Sequence, residues 1–534
     1  MSMHRATRSL LLGLALLAGW GARTGLAAGA FGPQRTAVFL LDYAQDTPET
    51  LAGFFPGFFF DGPNSFAAYV RETSFGQADL VGEVFGWYGF PADQLVEGIW
   101  PDLDRVFAAA RADIPDFRVY DKFIFVMADV EAAAYGVSSF GPILIHTPDG
   151  DVAATRCTIW RNFFQSPHDM ETYTPNSTVA HELIHSFGVE GHANALDCGA
   201  SFVDARIVPG RQLSGADPFD IMGGRWWGSH PSAAFKRKIG WLAENQEITA
   251  RESGTHTIYP VETAGPEPRL LTVPLAVNIP VNEGAQISRY GIEYRVPGGF
   301  DTGLQDLEEF DFSPLPGVDT GGLLIRGVQE KEDGSVSHTY LLDATPESRP
   351  AEFGYAGDFI DAFLAPGCSV FDAVNGIRIS CGAARADGGI EVGVRYLPDL
   401  EIARAVITPV PGRTSSRAQL TIRNRYPWNR PVLPPGQRYI YVACEGLVRD
   451  PATGAYRRPR VKPSWNTVMA VTGVPLNDLI TRGEATVNVY VTNPVNGNFN
   501  AMVFMVDPQS GDYHGSAGWV EESDDTNNRI VVNL

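Results

Sequence analysis

Residues 177–192 read Ser177-Thr-Val-Ala-His-Glu-Leu-Ile-His-Ser-Phe-Gly-Val-Glu-Gly-His192, and their spacing decides how the chain is read. His181 and His185 are four residues apart, about one turn of an α-helix, so both imidazoles leave one face. Val179, Ala180, Leu183, Ile184 and Phe187 line the other side, which predicts a helix burying an apolar face against a sheet. Asn176 or Ser177, after Pro175, offers an N-terminal cap, and Gly188 offers the left-handed residue that ends a helix. Two imidazole nitrogens on one face can hold Zn²⁺ at about 2.0–2.1 Å, and the turn after Gly188 returns His192 as a third ligand. Glu182, beside His181, is placed to take a proton from a metal-bound water. The plainer reading, two solvated helix histidines, leaves the amphipathic pattern, the glycine stop and the third histidine unexplained.

A second element lies 30 residues beyond His192. Asp217-Pro-Phe-Asp-Ile-Met-Gly-Gly224 predicts a tight turn around Met222, which would give the histidines an apolar, polarisable floor. Taken alone, Met222 reads as ordinary core; its place after the helix motif gives it the second role.

The chain has 534 residues, too many for one compact domain, and at roughly 150 residues per domain suggests three to four units. Hydrophobic residues at 44% and aromatics at 11% suffice for packed cores, which excludes a largely disordered chain. Lysine and arginine number 41 against 62 acidic residues, a formal net charge of −21. Such a surface repels phosphate backbones and anionic lipid, so nucleic acid is not an expected partner. With 56 glycines, 38 prolines and no repeat, many turns and a β-rich architecture are expected.

At the N-terminus, Arg5 and Arg8 precede an apolar run from Leu10 to Trp20 and a small-residue exit at Ala28-Gly-Ala30. That pattern predicts a secretory signal peptide over residues 1–30, cleaved near Ala30; Arg23 interrupts the run too early for a membrane anchor. No later segment is long and apolar enough to span a membrane, so the mature chain is expected to be soluble and secreted, to periplasm or medium. Export permits disulfides. Cys368 and Cys381 bracket two short strands around Asn375-Gly376, a plausible hairpin-spanning bridge worth about 3 kcal/mol. Cys157 and Cys198 form a second candidate pair, leaving Cys444 over; buried free thiols are the alternative for each.

Strand-like runs at Thr36–Asp42, Asp79–Trp87 and Lys122–Met127 alternate with helical spacing over Asn64–Ser74 and Leu103–Ala112. Residues 31–245 are therefore expected to be an α/β unit with a mainly parallel sheet. Residues 246–397 carry short alternating segments, such as Thr255–Tyr259, Tyr290–Arg295, Gly322–Arg326 and Ile390–Arg395, and no convincing helix: an all-β domain. Residues 398–534, with Ala418–Ile422, Tyr439–Ala443, Thr486–Val491 and Ala501–Val506, predict a β-sandwich.

The helix motif with its Met turn resembles the metzincin zinc metallopeptidases, and its surroundings resemble the gametolysin and immune inhibitor A groups of secreted peptidases. The resemblance extends to Ser65–Gln77, His192–Gly199, Asp217–Gly223, Phe235–Trp241, Tyr290–Arg295, Leu341–Pro346 and Cys368–Cys381, and so spans about residues 35–397. The end of the chain, Glu521-Glu-Ser-Asp-Asp-Thr-Asn-Asn-Arg-Ile-Val-Val532, resembles bacterial cell-adhesion-related (CARDB-like) sandwich domains. The resemblance implies an α/β zincin catalytic domain followed by two all-β domains. It implies a secreted zinc endopeptidase with one catalytic Zn²⁺ on His181, His185 and His192, Glu182 as general base, and a protein or peptide substrate. A surface polymer or glycan is the expected partner of the C-terminal β domains. A structural Ca²⁺ is compatible with the sequence, but no motif calls for one.

The chain departs from the family pattern in two places. The third ligand there follows the helix glycine by three residues, where this chain has Gly191 and the histidine comes one later; Glu190 and Asp197 are rivals to His192. A tyrosine ligand two residues after the methionine is replaced by Gly224, which leaves the oxyanion stabiliser open. His146, His168 and His230 read as surface or core residues, and Trp226 and Trp227 as core or cleft wall. The opposing reading is an exported binding protein on an inactive peptidase scaffold, recognising surface polymers or glycans. A third, a zinc hydrolase of non-peptide amides or glycopeptides, shares the same site.

Overall fold

A computed structural model describes residues 30–533, apart from 44–52, 92–94, 97–99, 129–135, 161–176, 204–211, 224–228, 282–283, 305–321, 347, 349–357, 412–414, 430–438, 450–451, 454, 458–467, 476–477, 480–481, 493–500 and 507–527. The expected signal peptide up to residue 29 lies outside the described residues. The chain is a multidomain, mostly β protein with several sheets.

In the first sheet, Gly32–Asp42, Ala78–Gly89, Lys122–Ala128 and Gly150–Trp160 run parallel to one another. Gly136–Ser138 and Ile143–Thr147 add antiparallel to Gly150–Trp160. The central strand is apolar on both faces, as a strand covered from two sides must be. Ala37, Phe39 and Leu41 pack with Val106 and Phe107 of the Leu103–Ala110 helix. Val38 and Leu40 pack on the other side with Tyr69 and Val70 of the Phe66–Thr73 helix and with Leu183 and Ile184. Both predicted helices form, each slightly shorter than its periodicity, and each is capped by a side chain that satisfies a free backbone donor. Ser65 accepts from Ala68 N at 3.2 Å, and Asp102 from Arg105 N at 3.3 Å.

A seven-stranded sheet follows, in the order Gln212–Leu213, Ala193–Leu196, Val336–Leu342, Gly322–Glu330, Gln286–Arg295, Leu270–Pro280 and Glu247–Thr249. Strands from either side of residue 245 therefore share one sheet, and Ala193–Leu196 runs parallel to Val336–Leu342. A four-stranded sheet of Gly254–Ile258, Ile390–Tyr396, Ile377–Ala384 and Ser369–Asp372 shares a core with it through Ile258, Leu271, Ile292, Ile325, Ile379 and Val392. Among the described residues of 246–397 the only helical turns after residue 247 are short 3-10 segments, Gly299–Leu304 and Asp358–Asp361. From Leu400 onward two further sheets close on Leu420, Ile422, Val442, Val487 and Phe504. The Asn429 side chain joins this unit to the preceding one, donating to the carbonyls of Asn375 and Leu397 at 2.8 Å each.

The cysteines correct the expected pairing. Cys157 lies in the core beneath the histidine helix and Cys198 in the core between the second and third sheets, so these two cannot bridge. Cys368 and Cys381 do face each other across a hairpin, where Cys381 N donates to Cys368 O at 3.0 Å. Their thiols are nevertheless free: Cys381 turns into the core and Cys368 stays at the surface.

A buried charge cluster crosses from the second sheet to the segment around Met222. Arg326 Nε donates to Asp217 Oδ2 at 2.6 Å and its Nη1 to Glu293 Oε1 at 2.5 Å. Arg295 lies between Glu262, Glu293 and Asp301 at 2.7, 3.0 and 2.5 Å. Burying such ions is expensive, but removing one partner is worse, because its mate is left uncompensated. Arg326→Met is accordingly expected to lower unfolding free energy by about 3–5 kcal/mol in denaturant titration. A loss under about 1 kcal/mol, the size of an exposed pair, would refute that assignment.

Candidate metal centre

The helix Ser177–Ser186 forms where its periodicity predicts and buries Val179, Ala180, Leu183 and Ile184 against the first sheet. Asn176, one of the two candidate caps, lies outside the described residues. Gly188 ends the helix with φ +101°, the left-handed conformation expected of it. From below, Lys122 Nζ donates to Ser186 Oγ at 2.8 Å and lies 4.1 Å from the centre of the Phe187 ring.

Each helix histidine is oriented by a backbone carbonyl. His181 Nδ1 donates to Ile221 O at 2.8 Å and His185 Nδ1 to Val189 O at 2.6 Å. A carbonyl only accepts, so in both rings Nδ1 carries the proton and Nε2 is left bare for a metal. The rings lie 4.7 Å apart, and His192 completes the triangle at 5.2 Å from His181 and 5.1 Å from His185. One ligand atom from each of the three lies within 4.8 Å of the others. Burial pushes His181 down to about 3, helped by the neighbouring His185 and His192, and pushes His185 down to about 4. His192 is lowered by burial too. Neutral imidazoles are the form that ligates, so these shifts suit a metal at neutral pH.

His192 is the third member, and the extra residue before it has a packing reason. A Cβ on Gly191 would stand 1.7 Å from Ser337 O, so only glycine lets this turn press against the Val336–Leu342 strand. The strand holds the turn in place, with Thr339 N donating to His192 O at 3.3 Å and Ala193 N to Met222 O at 2.9 Å. The two rivals lie elsewhere. Glu190 pairs with Lys331 at the surface, and Asp197 accepts from Gly199 N at 2.7 Å.

Met222 is fully buried, and the turn around it is built by two aspartates. Asp217 accepts from Phe219 N at 2.8 Å and Asp220 from Met222 N and Ser232 N at 2.9 Å each. Gly223 has no room for a side chain, since its Cβ would meet Asp217 O at 2.0 Å.

Glu182 is buried, and burial pushes its carboxyl up to about 8. Among the described residues its Oε2 has no hydrogen-bond partner, a cost that a native protein accepts mainly where a water, ion or substrate is due. Gly136, on the edge strand, makes room for it: a Cβ there would sit 2.6 Å from Glu182 Cγ. The bare Nε2 atoms, the neutral rings and this carboxyl group fit a Zn²⁺ ion with a water beside it.

Three residues near the site carry no motif in the sequence. Gly136 is one; Phe140, further along the same sheet edge, stands edge-on to His185 at 5.2 Å. His338, from the Val336–Leu342 strand, lies 6.5 Å from His192 with its Nδ1 buried and unpartnered. The sequence does not single out that strand or the loop it meets. Of the other histidines, His146 is exposed and bonded to Asp151 at 2.6 Å, and His230 is buried between Glu72 and Lys236. His168, Trp226 and Trp227 lie outside the described residues. Models of known protein families and the curated proteins yield no match to this chain.

His192→Ala is expected to weaken zinc binding at least 100-fold in chelator competition, from one ion per chain, whereas Glu190→Ala and Asp197→Ala retain it. Unchanged affinity in His192→Ala would remove His192 from the ligand set.

Proposed function

We propose that this chain is a secreted zinc-dependent endopeptidase of metzincin-like type, with residues 31–245 as its α/β zincin domain. The observation that carries the reading is the convergence of His181, His185 and His192 with the buried carboxyl group of Glu182, whose Oε2 has no hydrogen-bond partner among the described residues. The parallel first sheet, with the histidine helix beneath it and an antiparallel edge strand alongside, supports the same reading.

Zinc, when bound, would supply Lewis acidity to the scissile carbonyl and make the nearby water acidic. The chain's residues do the rest. His181 and His185 are fixed by Ile221 O and Val189 O, so their Nε2 atoms need little reorientation on loading. Glu182, ionised once a dication lies beside it, would take the proton of the attacking water and return it to the leaving nitrogen as the peptide C–N bond breaks. Gly136 keeps the space that this carboxylate needs. Met222, buried in the core on which the histidine helix packs, would supply the apolar floor of the site.

The substrate would be a protein or peptide. The net charge of −21 argues against nucleic acid, and among the described residues no helix is long and apolar enough to cross a membrane. The C-terminal sheets, read as a CARDB-like sandwich, would bring the enzyme to a surface polymer or glycan. Glu182→Gln tests the mechanism: zinc content should be retained while kcat/KM on a casein-type substrate falls by about 100-fold or more. A variant that cleaves as well as the wild type would end the general-base assignment.

A further inference from the structure

We infer that Phe140 forms an apolar subsite that selects an aromatic or large aliphatic substrate side chain next to the scissile bond; this rests on the endopeptidase reading. Phe140 sits in the short break between Gly136–Ser138 and Ile143–Thr147, two consecutive segments that both run antiparallel along Gly150–Trp160 at the sheet edge. The first segment touches the base, since Gly136 abuts Glu182, and the break touches a ligand, since the Phe140 ring stands edge-on to His185 at 5.2 Å. One short segment therefore lines the site beside both groups that act on the peptide bond.

Its exposure is the second observation. Phe140 is 56% exposed, and Leu144 on the same sheet edge is 65% exposed. Single exposed apolar residues are ordinary, but here Ile143 is exposed as well. Among the described residues before 245, the other large exposed apolar residues are only Val81 and Val119. Exposed apolar surface is thus concentrated on the sheet edge that carries Phe140, the residue against His185, in a chain of net charge −21. The ring contacts His185 by its edge and leaves much of its surface free, which suits an apolar side chain better than a polar or charged one. A substrate strand laid along this sheet edge would direct alternate side chains to one side, so a single position should feel Phe140.

The test is cleavage of a peptide library, varied at each position flanking the scissile bond, by the zinc-loaded full chain and its Phe140→Ala and Phe140→Leu variants. Zinc content is measured in each. The wild type should prefer Phe, Tyr or Leu over Ala or Ser at one flanking position by about tenfold or more in kcat/KM, the range of one apolar contact. Phe140→Ala should lose that preference, mainly through KM, with zinc retained, and Phe140→Leu should keep part of it. An unchanged profile in Phe140→Ala, or no apolar preference in the wild type, overturns this inference alone. Failure of the zinc-loaded wild type to cleave any peptide overturns the endopeptidase reading, and this inference with it.

Discussion

The pairing of Arg326 with Asp217 is the constraint on which the rest of the centre hangs. Asp217 opens the turn around Met222, and a guanidinium from the second sheet holds it 2.6 Å away with no water between. The turn then presents Ile221 O to His181 and Met222 O to the backbone that follows His192. Two of the three histidines are thus positioned by a segment whose own place depends on a strand more than 100 residues away. A buried ion pair adds little net stability over an apolar pair of equal volume, but it admits few alternative arrangements. Here Arg326 also reaches Glu293, which accepts from Ala233 N, so strand, turn and the Ala233–Ile239 helix lock together.

This arrangement explains why the second sheet crosses residue 245. Ala193–Leu196 leaves the histidine turn and joins the sheet beside Val336–Leu342, whose Ser337 carbonyl comes so close that Gly191 must lack a side chain. The glycine before His192 is therefore a packing feature: Gly191 makes the contact, and His192 is left to face His181 and His185.

The histidine helix was legible because its signals are local: a fourfold spacing, an apolar face and a glycine at +101°. The central strand was legible too, since an unbroken apolar run has to be buried on both faces. What stayed hidden depends on residues far apart in the chain. Nothing near Gly136 or Phe140 announces that they meet Glu182 and His185. Glu293 and Arg295, two apart on a strand, read as one charged face although both are buried. Cysteine counting failed for the same reason, because it supplied a pairing for Cys157 and Cys198 without their positions in two separate cores.

The claim tested most directly is that the three imidazoles share one ion through bare Nε2 atoms. X-ray absorption at the zinc edge on the purified, zinc-loaded chain should show three imidazole nitrogens and one light oxygen-type ligand at about 2.0–2.1 Å. Two imidazoles or fewer, or a sulfur at about 2.3 Å from one of the free cysteines, would contradict the account.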